Sequence, residues 1–171
     1  MFRAFYARVH AYAARRVGSA SADDVAAEVF TVAWRRFDDL PDEPLPWLLA
    51  TARLTCLNEL RGRRRADGVT ARFAGELAVL HQVAEADRGV DPDLVQALGE
   101  LSDTDRELIL LVAWEELSHR QIAEMLGTST ANVTLRLFRA RRRITRLLTD
   151  AATPDDRRTM TTDVKEASDE A

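Results

Sequence analysis

Leu117-Ser118-His119-Arg120-Gln121-Ile122-Ala123-Glu124-Met125-Leu126-Gly127-Thr128-Ser129-Thr130-Ala131-Asn132-Val133, continuing through Thr134-Leu135-Arg136-Leu137-Phe138-Arg139-Ala140-Arg141-Arg142-Arg143, decides how this chain folds. Ser118 followed three residues later by Gln121 is a capping box, which starts one helix; Gly127 is placed to stop it in a left-handed turn. Ser129 or Thr128 can cap the next helix. Ile122, Ala123 and Leu126 recur at helical spacing, and Val133, Leu137, Ala140, Ile144 and Leu147 or Leu148 carry a second apolar stripe. With successive residues about 100° apart, Ala131, Leu135, Phe138 and Arg142 fall opposite that stripe, flanked by Arg139 and Arg146. Arginines stand at 136, 139, 141, 142, 143 and 146, and no acidic residue interrupts them. Two capped helices across a glycine turn, the second dense in guanidinium groups, predict a helix-turn-helix facing phosphate.

The remainder bounds the class. The chain has 171 residues, 46% of them hydrophobic, with seven glycines, five prolines and no alternating strand pattern, so an all-α protein of one or two small domains is expected. No apolar run has the length of a membrane span and the amino terminus lacks a signal-peptide pattern, which predicts a soluble cytoplasmic protein without membrane insertion. The single Cys56 rules out an internal disulfide and, in its apolar helical context, reads as core. His10, His81 and His119 fall on separate elements, so no metal site is expected. No glycine-rich phosphate loop, nucleophile elbow or pair of buried carboxylates is read in the sequence, and neither catalysis nor a cofactor is expected.

The net charge of −4 is unevenly spread: +3 over residues 1–65, −4 over 66–93, +1 over 94–149 and −4 over 150–171. These blocks predict two basic helical domains joined by a flexible acidic linker and followed by a disordered acidic tail. The linker carries Gly68, Gly75, Gly89 and Pro92, with one loose helical segment between Arg72 and Ala86. The tail is expected to damp DNA binding by charge repulsion.

In the first block, Phe2, Phe5 or Tyr6, Val9, Ala13 and Val17 make a helix over 2–17. A second begins near Asp23, with Val25, Val29, Phe30, Ala33, Trp34 and Phe37 on a broad apolar side and Asp24 and Glu28 on a neighbouring face. A proline-rich loop, 38–46, ends it. A third helix runs from about Leu45 to Arg64, with Trp47, Leu48, Ala52, Cys56, Leu57 and Leu60 inward and Arg53, Arg61, Arg63, Arg64 and Arg65 outward. In the last block a helix from Pro92 carries Leu94, Leu98 and Leu101, and Ser102 caps another to Trp114.

These residues resemble a family. Asp23-Asp24-Val25-Ala26-Ala27-Glu28-Val29-Phe30-Thr31-Val32-Ala33-Trp34, then Pro46-Trp47-Leu48-Leu49-Ala50-Thr51-Ala52-Arg53 and Asn58-Glu59-Leu60-Arg61, look like region two of the sigma-70 superfamily of RNA polymerase sigma factors. Leu101-Ser102, Arg106-Glu107, Leu117-Ser118, Ile122-Ala123-Glu124, Leu126-Gly127 and Val133 to Arg141 look like its region four. Possession of these two regions alone is similar to the small extracytoplasmic-function (ECF) type.

The resemblance implies a monomer that binds core RNA polymerase and promoter DNA and is held in check by an anti-sigma factor. It implies that Asp23, Asp24, Glu28, Phe30 and Trp34 dock on the clamp helices of the large polymerase subunit, although the residues alone read Trp34 first as core. It implies that Arg53, Asn58, Arg61, Arg63 and Arg64 lie at the melted minus-10 element, the loop 38–45 holding a flipped base. Leu54 departs from the asparagine usual after the arginine matched by Arg53, and no role is carried to it. The resemblance further places Thr130, Ala131, Asn132, Thr134, Leu135, Arg136, Phe138, Arg139 and Arg142 at the minus-35 major groove, where Leu135 favours a thymine methyl over a guanine edge. Two other readings stay open: a helix-turn-helix regulator that does not engage polymerase, and a helical antagonist whose arginines are only surface.

Overall fold

The computed structural model describes residues 2–67 and 91–151. The expected acidic linker core and tail, 68–90 and 152–171, lie outside the described residues, as do His81 and the side chain of Arg64. Seven α-helices are present among the described residues, with no strand: α1 (Phe2–Val17), α2 (Ser19–Arg35), α3 (Pro44–Asp67), α4 (Pro92–Gly99), α5 (Asp103–Ala113), α6 (His119–Leu126) and α7 (Thr130–Ala151).

Helix α2 starts four residues earlier than the sequence reading, at Ser19 instead of Asp23. Gly18 takes φ 84°, ψ 159°, a conformation that only glycine holds at low cost, and reverses the chain within one residue of α1. A 3-10 turn over Phe37–Asp39 closes α2. Helix α3 opens at Pro44, where a missing N–H costs nothing because first-turn donors have no helical acceptor.

Helices α1, α2 and α3 pack pairwise as a three-helix group. Val9, Tyr12, Ala13, Val25, Val29, Ala33, Leu48, Leu49, Ala52 and Cys56 fill its centre. Around α7, helices α4, α5 and α6 form the second group, with Val95, Leu98, Leu101, Leu110 and Ala140 in one cluster. The groups are not held apart: α3 packs on α6, and one buried apolar cluster runs from Val9 and Leu48 through to Leu108, Ile122 and Leu137. Each fully buried side chain of this size stabilises by about 1.5–3 kcal/mol.

Buried Arg106 on α5 organises the second group. Its guanidinium donates to the backbone carbonyls of Leu98 (2.8 Å), Gly99 (2.9 Å) and Leu101 (3.0 Å), where α4 runs out of helical donors. A further bond reaches Asp103 at 3.3 Å. No helix among the described residues is long and apolar enough to cross a membrane.

Candidate nucleic-acid interface

Both caps foreseen for the helix-turn-helix are in place. Ser118 Oγ accepts from the Gln121 amide, and Gln121 Oε1 accepts from the Ser118 amide at 2.9 Å. Gly127 sits at φ 64°, ψ 38°, and the Thr128 amide donates back to the Ala123 carbonyl at 2.9 Å. Ser129 Oγ, of the two candidates, accepts from the Asn132 amide at 3.2 Å and starts α7.

Helix α7 then turns its faces as its spacing dictates. Val133, Leu137 and Ala140 are buried, and Ile144, Leu147 and Leu148 are half-buried. Thr130, Ala131, Asn132, Thr134, Leu135, Phe138, Arg139 and Arg142 are exposed. Phe138 is 63% exposed, an arrangement that costs solvent ordering unless an apolar surface covers it. Arg139, Arg142, Arg143 and Arg146 line an open groove beside Leu147. Arg136 departs from the expectation of an outward, phosphate-positioning cation. It is half-buried and donates to Asp105 Oδ1 from Nε at 3.0 Å, with its NH2 nitrogen at 2.8 Å, bracing α7 against α5. Thr134 Oγ1 lies 2.9 Å from His119 Nδ1, linking the two helices of the motif.

The basic patch on α3 is less open than its sequence suggests. Arg53 was expected outward; instead it forks onto Glu107 of α5, from Nε at 2.8 Å and NH2 at 3.1 Å. Arg63 pairs with Glu59 at 3.0 Å, donates to the Val17 carbonyl and bonds Ser21, tying α3 to the α1–α2 corner. Arg61 and Asn58 stay exposed, joined only by a long 3.4 Å bond. Leu54 is exposed beside them.

On α2, Asp24 and Glu28 are exposed and line a groove with Ser21, Thr55, Asn58 and Glu59. Asp23 is engaged within the chain: it accepts from the Tyr6 hydroxyl at 2.9 Å and lies 3.3 Å from His10 Nε2. Bonding to that carboxylate, with partial desolvation and charge repulsion, raises the Tyr6 pKa above its ordinary value. Phe30 is half-buried and stacks on Tyr6, centroids 5.8 Å apart.

Trp34 corrects the reading as core. It is 72% exposed, paired loosely with exposed Phe37 at 6.4 Å between ring centroids. The buried stripe of α2 is Ala22, Val25, Ala26, Val29 and Ala33, and Trp34 lies about 120° around the helix from its centre. Trp47, read as core, packs half-buried against the main cluster. The acidic partners Glu107 and Glu115, both buried, were not foreseen as site residues. Their only signal was a charge at an otherwise apolar register.

Comparison with known proteins finds two family models along the chain. Residues 1–66 match the family model for sigma-70 region 2, and residues 93–144 that for sigma-70 region 4. The RNA polymerase sigma factor NccH of Alcaligenes xylosoxydans xylosoxydans is 32% identical over 157 residues, covering 84% of this chain and 82% of NccH. The ECF RNA polymerase sigma factor SigK of Mycobacterium ulcerans is 24% identical, covering 76% of this chain and 74% of SigK. Among solved structures, CnrH in complex with the cytosolic domain of CnrY superposes with a TM-score of 0.59 at 28% identity, covering 87% of this chain and 88% of that one.

Proposed function

The chain belongs to the sigma-70 family of RNA polymerase sigma factors, in its ECF group, and on that premise we propose that it binds core RNA polymerase and directs initiation at promoters read through two elements. The outward face of α7 carries the reading: a capped helix whose apolar stripe is buried and whose Leu135, Phe138, Arg139 and Arg142 project into solvent.

In the minus-35 major groove, Leu135 and Phe138 supply apolar contact to thymine methyls and Arg139 and Arg142 supply base-edge or phosphate donors. Thr130, Ala131, Asn132 and Thr134 line the entry end of the same helix, and Arg136 sets the helix against α5 instead of meeting phosphate. Arg53, Asn58, Arg61, Arg63 and Arg64 on α3 serve the minus-10 element, with Asn58, Arg61 and Arg63 exposed and Arg53 half-buried.

Polymerase docks on α2. Asp24 and Glu28 answer arginines of the clamp helices, and Trp34 gives an amphipathic anchor of the kind that dominates interface energies. Asp23 and Phe30 act behind them, through Tyr6. The protein works by binding, as a cytoplasmic monomer, and carries out no reaction itself. A small anti-sigma protein is the expected antagonist, a reading supported by the likeness to CnrH solved with CnrY.

Adding the purified chain to core RNA polymerase on candidate promoters tests the proposal. Start-site-specific RNA supports it. Promoter binding without polymerase-dependent RNA overturns it in favour of an independent regulator, and neither activity leaves a helical antagonist.

A further inference from the structure

We propose that Glu107 acts as an internal phosphate mimic: by holding Arg53 it latches the two helical groups shut and withholds the minus-10 arginine until nucleic acid or polymerase opens the seam. This rests on the assignment of Arg53 to the minus-10 element made above.

Glu107 is 2% exposed and presents both carboxylate oxygens to Arg53 in a two-point fork at 2.8 and 3.1 Å. Arg16, also buried, approaches the same carboxylate at 3.9 Å and lies over the Tyr12 ring at 3.5 Å. Just past the other end of α5, buried Glu115 takes Arg15 through its carboxylate and Arg8 through its backbone carbonyl, and Arg15 also lies over the Trp114 ring. Two carboxylates of the second group are thus sunk among four arginines of the first. On the rim Glu43 bonds Arg120 at 3.2 Å and Gln121 at 3.0 Å.

Burying a carboxylate is costly unless it is paired and bonded: Glu107 has both oxygens bonded by Arg53, and Glu115 is paired with Arg15 through Oε1. Removal of either group leaves the carboxylates and arginines at a surface, where water satisfies them, so the pairing suits both a closed and an open state. Carboxylate and phosphate oxygens are the same class of two-point acceptor for a guanidinium. A DNA backbone entering the cleft lined by Arg53, Glu107, Thr128 and Asn132 therefore competes with Glu107 for one cation. Of the minus-35 residues Asn132 and Arg136 line this cleft, whereas exposed Leu135, Phe138, Arg139 and Arg142 do not.

The decisive comparison is the full chain against E107Q, which keeps shape and removes charge. Two properties are measured: radius of gyration by small-angle X-ray scattering, and affinity for a fluorescent single-stranded DNA of mixed sequence. E107Q expands and binds that strand about tenfold more tightly, the worth of one charge-assisted bond of this class. The exposed-pair variant E43A shifts both in the same direction by a smaller factor, and wild type expands as salt rises. E107Q with native helix content but unchanged radius and strand affinity overturns the latch. Should E107Q not fold, a salt-invariant wild-type radius together with an inert E43A overturns it. Start-site-specific RNA made with core polymerase while E107Q stays compact would refute the latch and leave the sigma reading intact. No RNA with either protein while E107Q expands does the reverse.

Discussion

Replacing Arg106 by lysine or methionine probes the bond set that holds the second helical group together. The arginine fork spans three carbonyls, and Leu98 O also accepts from the Leu101 amide, so the oxygens of Gly99 and Leu101 depend most on it. A lysine ammonium donates from one point and reaches one of these in a given pose; each buried acceptor then left unbonded costs about 1–3 kcal/mol. R106K therefore loses about 2 kcal/mol. R106M, which removes the positive charge from the carboxyl end of α4 as well, loses about 4 kcal/mol. For a chain of this size 2 kcal/mol lowers Tm by about 4–8 °C. Urea unfolding followed by far-ultraviolet dichroism reads the difference as a shifted midpoint at constant slope. Because α4 packs on α7, duplex binding disappears at the same lowered temperature although no DNA contact has been touched. An R106K protein as stable as its parent would refute the argument, since it would show that the carbonyls are equally content with water.

Three further outcomes are expected. G127A costs about 1 kcal/mol in urea unfolding, from left-handed backbone alone, because no atom stands within 4 Å of the added methyl; a loss above about 3 kcal/mol would mean an unseen clash. W34A leaves unfolding within about 0.5 kcal/mol of the parent, since the indole is mostly in water, yet weakens core polymerase binding in a pull-down or titration at least about tenfold; a large stability loss would return the ring to the core. R139A weakens promoter duplex binding and lowers the slope of log affinity against log salt by about 1, and unchanged affinity at physiological salt removes it from the interface.

Local signals carried furthest where they were self-contained. Ser118, Gln121, Gly127 and Ser129 act through backbone bonds three or four residues away, so the helix-turn-helix could be drawn from spacing alone, together with the inward and outward faces of α7. Register failed at α2, where Trp34 follows the buried stripe by one residue and a broad apolar pattern does not say where the stripe ends. Gly18 hid the true start of that helix, because Asp23 is as plausible a cap by type. The occupied state of Arg53 and Arg136 was not legible at all. Each is neutralised by a carboxylate 54 or 31 residues away, and pairing across such separations depends on packing that periodicity does not encode.

The outward cations of α7 are all guanidinium groups, and the chain's sole amine-bearing side chain is Lys165. Guanidinium is not a substrate for the acylations that neutralise an ammonium. Acetylating enzymes and amine-directed cross-linkers consequently have no target on the helix, and its attraction for a polyanion is closed to that form of chemical switching.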